Sequence, residues 1–253
     1  MKINVLGSGY MGKQICSLFV TLGYQVFIWQ NSEENLDDLI TIEIKKVEKA
    51  FNIKSSGTFE INRNLDKFNS NFTIETVAEN ISIKKNIISK LKYKQNIFSN
   101  TSSLLATDLG ENINILHFMN PITVPIVELY KTKSYSKSYL DTVLNSLKKL
   151  SYDVIDVKDT TGFLVNRILF KNISYFFNLF EKEKVKVNDL KKIYKNIFNN
   201  DPIKIVNMIG LDTCLSILIN LNKVDKSFYI PKCFRAAVKN NILGYKNKKI
   251  FRI

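Results

Sequence analysis

The chain holds one histidine, His117, three cysteines and four arginines among 253 residues. Each scarcity excludes something. Cys16, Cys214 and Cys233 lie far apart, with no Cys-x-x-Cys pair, so together with a single histidine they offer no recognisable set of metal ligands. An odd, sparse set of thiols suits a reducing compartment better than a disulfide framework. Arginine occurs only at Arg63, Arg167, Arg235 and Arg252. Sequence-specific nucleic-acid readers favour guanidinium groups for bidentate base contacts, and no motif of such a reader is present. No run stays apolar long enough to span a bilayer. Lys2 is followed within a few residues by a glycine-rich turn, not by the apolar stretch of a secretory signal. The expectation is a cytoplasmic protein with no metal, no nucleic-acid partner and no membrane partner.

Lysine is plentiful, and the formal net charge is +14. Such a charge attracts anions: nucleic acid, a membrane surface, coenzyme A or an acidic carrier protein. Asparagine and isoleucine are abundant too, and Lys, Asn and Ile share AT-rich codons, so compositional drift is the main cause assigned here. With 45% hydrophobic and 24% charged residues, the composition is that of a globular protein, long enough for one large domain or two modest ones.

Hydrophobic periodicity and turn signals predict strands at 2–6, 25–29, 58–61, 72–75, 96–99, 114–118, 127–131 and 152–157. Between them fit helices at 13–23, with Gly23 as its stop, at 82–92 and at 136–150, and one that Ser32 caps and that runs to residue 51. From Gly162 only helices follow, at 163–184, 188–198, 202–221 and 231–240. Strands alternating with helices, then helices alone, predict an α/β fold in two domains: a Rossmann-type dinucleotide-binding domain over 1–160 and an all-helical domain over 161–253.

Gly7-Ser8-Gly9-Tyr10-Met11-Gly12 stands between the first strand and the first helix. In Gly-x-Gly-x-x-Gly the first glycine permits the tight turn, the second lets a pyrophosphate approach the backbone, and the third allows close helix–strand packing. The helix N-terminus then offers N–H groups to the phosphates. An NAD site expects an acid at the end of the second strand to bind the adenosine ribose. Gln30 stands there, a neutral hydrogen-bonding substitute, with no adjacent cation for a 2′-phosphate. NAD is the expected cofactor. Any imidazole chemistry must use His117, which ends a predicted strand, where ligands bind in sheets of this kind.

Further segments follow in order: Glu75-Thr76-Val77-Ala78-Glu79-Asn80 with Lys84 beyond it, Ser99-Asn100-Thr101-Ser102-Ser103-Leu104, Leu116-His117-Phe118-Met119-Asn120-Pro121, Asp159-Thr160-Thr161-Gly162-Phe163-Leu164-Val165-Asn166-Arg167 and Gly210-Leu211-Asp212-Thr213. With the glycine turn and its Met11, they resemble the 3-hydroxyacyl-CoA dehydrogenase family over essentially the whole chain. The resemblance implies NAD-dependent oxidation of the 3-hydroxyl of a 3-hydroxyacyl thioester, or the reverse, as in fatty-acid metabolism. It implies His117 as general base, Glu128 as its orienting carboxylate, and Ser102 and Asn166 as hydrogen-bond partners of the substrate oxygens. Glu79 and Lys84 would stand on the nicotinamide-ribose side. It also implies a homodimer formed through the helical domain, to which the apolar runs 168–180 and 203–219 could contribute.

Three departures from the family pattern stand out. Gln30 replaces the acid. The interval from His117 to Glu128 is one residue shorter than usual, which leaves the alignment of the pair open. The segment before Thr58 is short where the family has a helical hairpin that helps cover the CoA nucleotide; only Lys45, Lys46, Lys49 and Lys54 stand there. A trimmed CoA clamp and a basic surface suggest an alternative, the same chemistry on an acyl carrier protein, such as a glyceryl unit in polyketide extender-unit biosynthesis. A second alternative is a non-catalytic NAD-binding protein with a decayed site.

Overall fold

The computed structural model describes all residues except Ser32, Tyr93, Gln95 and Ser134. The chain divides into two compact units, Met1–Thr160 and Thr161–Ile253. The first contains β1 (Lys2–Leu6), α1 (Tyr10–Thr21), β2 (Gln25–Trp29), α2 (Asp37–Phe51), β3 (Thr58–Asn62), β4 (Thr73–Glu75), α3 (Ile81–Ser89), β5 (Ile97–Ser99), α4 (Ala106–Leu109), β6 (Ile113–Phe118), β7 (Ile126–Tyr130), α5 (Lys137–Lys148) and β8 (Asp153–Asp156). The second contains α6 (Val165–Glu181), α7 (Val187–Phe198), α8 (Pro202–Ile209), α9 (Leu211–Val224) and α10 (Lys232–Lys239).

The strands form one sheet in the order β3-β2-β1-β4-β5-β6-β7-β8. The first six run parallel; β7 is antiparallel to β6, and β8 is parallel to β7. The chain winds outward from β1 in both directions, so the switch point lies between β1 and β4, the place where a doubly wound sheet binds its ligand. Strands covered on both faces must be apolar on both. Accordingly Ile3, Val5, Leu116, Phe118, Val127 and Leu129 pack with α1, α2 and α5 on one face. Leu6, Ile97 and Ile113 pack with Ile87 and Ile88 of α3 and Leu109 of α4 on the other.

α1 ends as expected at Gly23, whose φ of +87° lets Tyr24 N–H close back onto the Phe19 carbonyl at 3.0 Å. α2 begins later than the sequence suggests, with Leu36 at its N-cap and Asp37 and Asp38 in its first turn, where carboxylates favour the helix dipole. Ser32, expected as its cap, lies outside the described residues.

The second unit packs Phe170, Phe176, Phe177 and Phe234 into its own core. The single helix expected over 202–221 is in fact two, α8 and α9, bent by 101°. Gly210 joins them at φ +98°, ψ 130°, which an L-residue adopts only with strain. Asn207 at the bend donates to the Phe251 carbonyl at 3.0 Å and accepts from Phe251 N–H at 2.8 Å, fixing the end of the chain against α8. Among the described residues no single helix is long and apolar enough to cross a membrane.

Candidate active site

Side chains alternate between faces along a strand. Leu116 and Phe118 point toward α1, so His117 between them points to the opposite face. Val127 and Leu129 place Glu128 on that same opposite face. The antiparallel register of β6 and β7 sets His117 directly against Glu128, and Nδ1 lies 2.7 Å from the carboxylate Oε2. The interval of eleven residues between them therefore brings the pair together. The imidazole is 7% exposed and the carboxylate fully buried. An ionised carboxylate at Nδ1 keeps the proton there and leaves the lone pair on Nε2, the tautomer a general base needs.

The intervening turn is held from outside the hairpin. Gln14 of α1, buried, accepts from Ile122 N–H at 2.7 Å. Asn100, just past β5, accepts from Phe118 N–H at 2.8 Å. Sequence reasoning gave neither a role; Gln14 is a polar residue whose burial only the assembled fold reveals, and Asn100 stands in the Ser99–Leu104 motif, which by itself names no contact for it.

The glycine turn passes a direct test of fit for a dinucleotide. A Cβ on Gly12 would stand 1.9 Å from the Gly7 carbonyl oxygen, and one on Gly7 would stand 2.9 Å from the Thr76 carbonyl. Both positions need glycine for backbone packing, with Thr76 Oγ1 donating to the Leu6 and Gly7 carbonyls at 3.1 and 3.0 Å. A Cβ on Gly9 would meet nothing within 4 Å. Its bareness is thus not needed for packing and leaves an open approach to the N-terminus of α1, whose first turn has no acid and no side-chain cap. Met11 is half-buried and packs against the core beneath α1.

Gln30, expected at the adenosine ribose, is held at the end of β2. Gln30 is 3% exposed, and its amide Nε2 donates to the Glu34 carbonyl at 2.5 Å. It braces the segment leading into α2.

Register also explains the next cluster. Leu6, Glu75, Ser99 and Ile115 pair in line across β1, β4, β5 and β6, so Glu75 and Ser99 are neighbours under the switch point. Lys84 of α3, expected on the nicotinamide-ribose side, turns inward. It is 1% exposed, and its ammonium donates to both oxygens of buried Glu75 at 2.8 and 3.0 Å and to the Val77 carbonyl at 3.2 Å. Glu79 is the exposed member. Its Oε2 lies 3.4 Å from Lys84 Nζ, while Oε1 accepts from Thr101 Oγ1, Ser102 N, Ser103 N and Ser103 Oγ at 2.6–3.0 Å. Burial raises the Glu75 carboxyl above its usual range, against the opposing pull of Lys84 and Ser99. Burial also works to raise Glu79, but Lys84 and the Thr101, Ser103 and Ser102 donors outweigh it and hold that carboxyl low.

Ser102, half-buried, stands in the loop after β5 and has its backbone N–H held by Glu79. Asp159 caps α4 beyond this loop, accepting from Ala106 N and Thr107 N at 2.7 and 3.0 Å. Asn166 belongs to the second unit, in the first turn of α6, and is 8% exposed. Among the described residues no group of three His, Cys, Asp or Glu could hold a metal ion.

Comparison with known proteins gives this arrangement a family. Residues 2–160 match the family model of the 3-hydroxyacyl-CoA dehydrogenase NAD binding domain, and residues 162–252 match that of the C-terminal domain. The chain is 27% identical to the 3-hydroxybutyryl-CoA dehydrogenase of Clostridioides difficile, over 98% of this chain and 97% of that protein. It is 28% identical to a probable 3-hydroxybutyryl-CoA dehydrogenase of Bacillus subtilis, over 99% and 96%. The crystal structure of (S)-3-hydroxybutyryl-CoA dehydrogenase from Ralstonia eutropha superimposes with a TM-score of 0.80 at 24% identity, covering 100% of this chain and 99% of that one. The chain belongs to the 3-hydroxyacyl-CoA dehydrogenase family, with NAD as its cofactor.

Proposed function

We propose that His117 is the general base of an NAD-dependent 3-hydroxyacyl-CoA dehydrogenase reaction, run in either direction. The observation that carries this is the 2.7 Å contact of His117 Nδ1 with buried Glu128. In the oxidative direction Nε2 takes the proton of the 3-hydroxyl, and the buried carboxylate stabilises the imidazolium that results. NAD, when bound, accepts the hydride from C3. The turn Gly7–Gly12 would hold the pyrophosphate, with Met11 packed against the core beneath α1, and Glu79 would stand on the nicotinamide-ribose side. Ser102, and Asn166 of the helical unit, hydrogen-bond the substrate oxygens, as the family motifs they stand in imply. Residues 1–160 thus serve the dinucleotide, and residues 161–253 contribute to the acyl substrate and to self-association.

The substrate is an acyl-CoA. Relatives matching nearly the whole chain are CoA dehydrogenases by name, which outweighs the short segment before Thr58 and the basic surface that suggested a carrier protein. The ordered His117–Glu128 pair argues against a decayed site. The protein acts in the cytoplasm as a homodimer. α6 and α7 leave Ile168, Tyr175, Ile193, Ile197 and Phe198 exposed, an apolar set suited to a second copy. The test is steady-state reduction of acetoacetyl-CoA by NADH. Turnover that saturates with acetoacetyl-CoA supports the assignment; absence of turnover with any short 3-oxoacyl-CoA, at verified NADH binding, contradicts it.

A further inference from the structure

Beneath the candidate site lies a buried carboxylate that the chemistry above does not use. Glu75 is 0% exposed, so it touches neither substrate nor cofactor. We propose that Glu75 is a positioning residue for the reaction, fixing Ser102 through two arms; the proposal rests on the substrate-binding role of Ser102 given above.

The first arm runs along the sheet edge. Glu75 Oε2 accepts from Ser99 Oγ at 2.6 Å, and the same Oγ accepts from Thr101 N–H at 3.2 Å. The second arm runs through α3. Glu75 holds the Lys84 ammonium, which reaches Glu79 Oε2, and Glu79 Oε1 takes the N–H groups of Ser102 and Ser103, both at 3.0 Å. Glu79 therefore divides its two oxygens, one toward Lys84 and one toward the serine loop. That division depends on Glu75. A buried ammonium must be compensated, and with Glu75 neutral the remaining carboxylate on Lys84 among the described residues is Glu79. The ammonium then draws Glu79 inward and away from the Ser102 backbone. A buried ion pair is weak support for stability as such, since apolar residues of similar size do as well. What this circuit supplies is a fixed location for the loop that carries Ser102.

The test is a cycle of Glu75→Gln, Ser102→Ala and the double variant, with Ser99→Ala as a milder cut in the first arm and thermal melts on each. Glu75→Gln preserves size, removes the charge and replaces one of the two acceptor oxygens with an NH2 donor. Its kcat on acetoacetyl-CoA is expected to fall roughly 10–100-fold, the scale of a misplaced positioning group. Ser99→Ala should fall less, in the same direction. In the Ser102→Ala background both substitutions should cost little more, because their effect passes through Ser102. A merely structural role would lower the melting temperature and leave the kinetic losses additive. Wild-type kcat in both Glu75→Gln and Ser99→Ala, or losses undiminished in the Ser102→Ala background, overturns the proposal. Wild-type kcat in Ser102→Ala alone overturns the assignment of Ser102, and this inference with it. If Glu75→Gln is unfolded at the assay temperature, Ser99→Ala alone decides.

Discussion

Two glycines in the first unit separate folding from binding. Gly12 and Gly9 belong to one turn, yet a methyl group on Gly12 collides with the Gly7 carbonyl and one on Gly9 meets nothing. Gly12→Ala should therefore lower the melting temperature and abolish NADH binding together. Gly9→Ala should leave the melting temperature nearly unchanged and still weaken NADH, because the methyl group occupies the pyrophosphate's approach. Calorimetric melts beside NADH titrations check both. Gln30→Asp restores the acid common in NAD sites, but it removes the donor to the Glu34 carbonyl and sets a carboxylate in its place. Weaker NADH binding is expected, not tighter, and a dissociation constant measured for the variant decides. Glu128→Gln tests the pair from its buried side. An amide cannot enforce the same tautomer, and the corresponding change in a Ser-His-Asp triad costs about 10⁴-fold in kcat. A loss of at least ~10²-fold in kcat, with NADH affinity retained, is the expected outcome.

At the scale of elements, periodicity carried most of the reading, because buried parallel strands are short apolar runs between turn residues. β1 and β2 lie where their Val, Ile and Leu content places them, and β6 carries His117 at its end. The failures have local causes. The four-residue α4 is too short for any period to show; what defines it is the Asp159 cap, fifty residues downstream. The run 202–221 is apolar on both sides of Gly210, so composition alone cannot reveal the bend that the glycine's left-handed φ introduces. Gly210→Ala should destabilise the second unit by about 1–3 kcal/mol, seen as a lower denaturant midpoint without loss of helix content at low denaturant. A stabilised variant with a continuous helix would contradict this account of the bend.

For the whole molecule, the motifs made the candidate site legible as a set of residue types, while their contacts emerged only from the sheet. His117 and Glu128 are eleven residues apart in sequence, and only the antiparallel turn of β7 places them face to face. Lys84, expected at the cofactor, is buried, because α3 turns that side chain toward Glu75. The exposed apolar residues of α6 and α7 bear on assembly. Sedimentation should find a dimer, and Ile197→Glu, at a position 69% exposed, should shift it toward monomer without unfolding it. The proposed chemistry is tested most directly by His117→Ala, followed by single-turnover reduction of acetoacetyl-CoA with prebound NADH. The expected result is a fall of roughly 10²–10⁴-fold in the rate of the chemical step, with the NADH dissociation constant unchanged. A variant that turns over at the wild-type rate would contradict the assignment of His117 as the base.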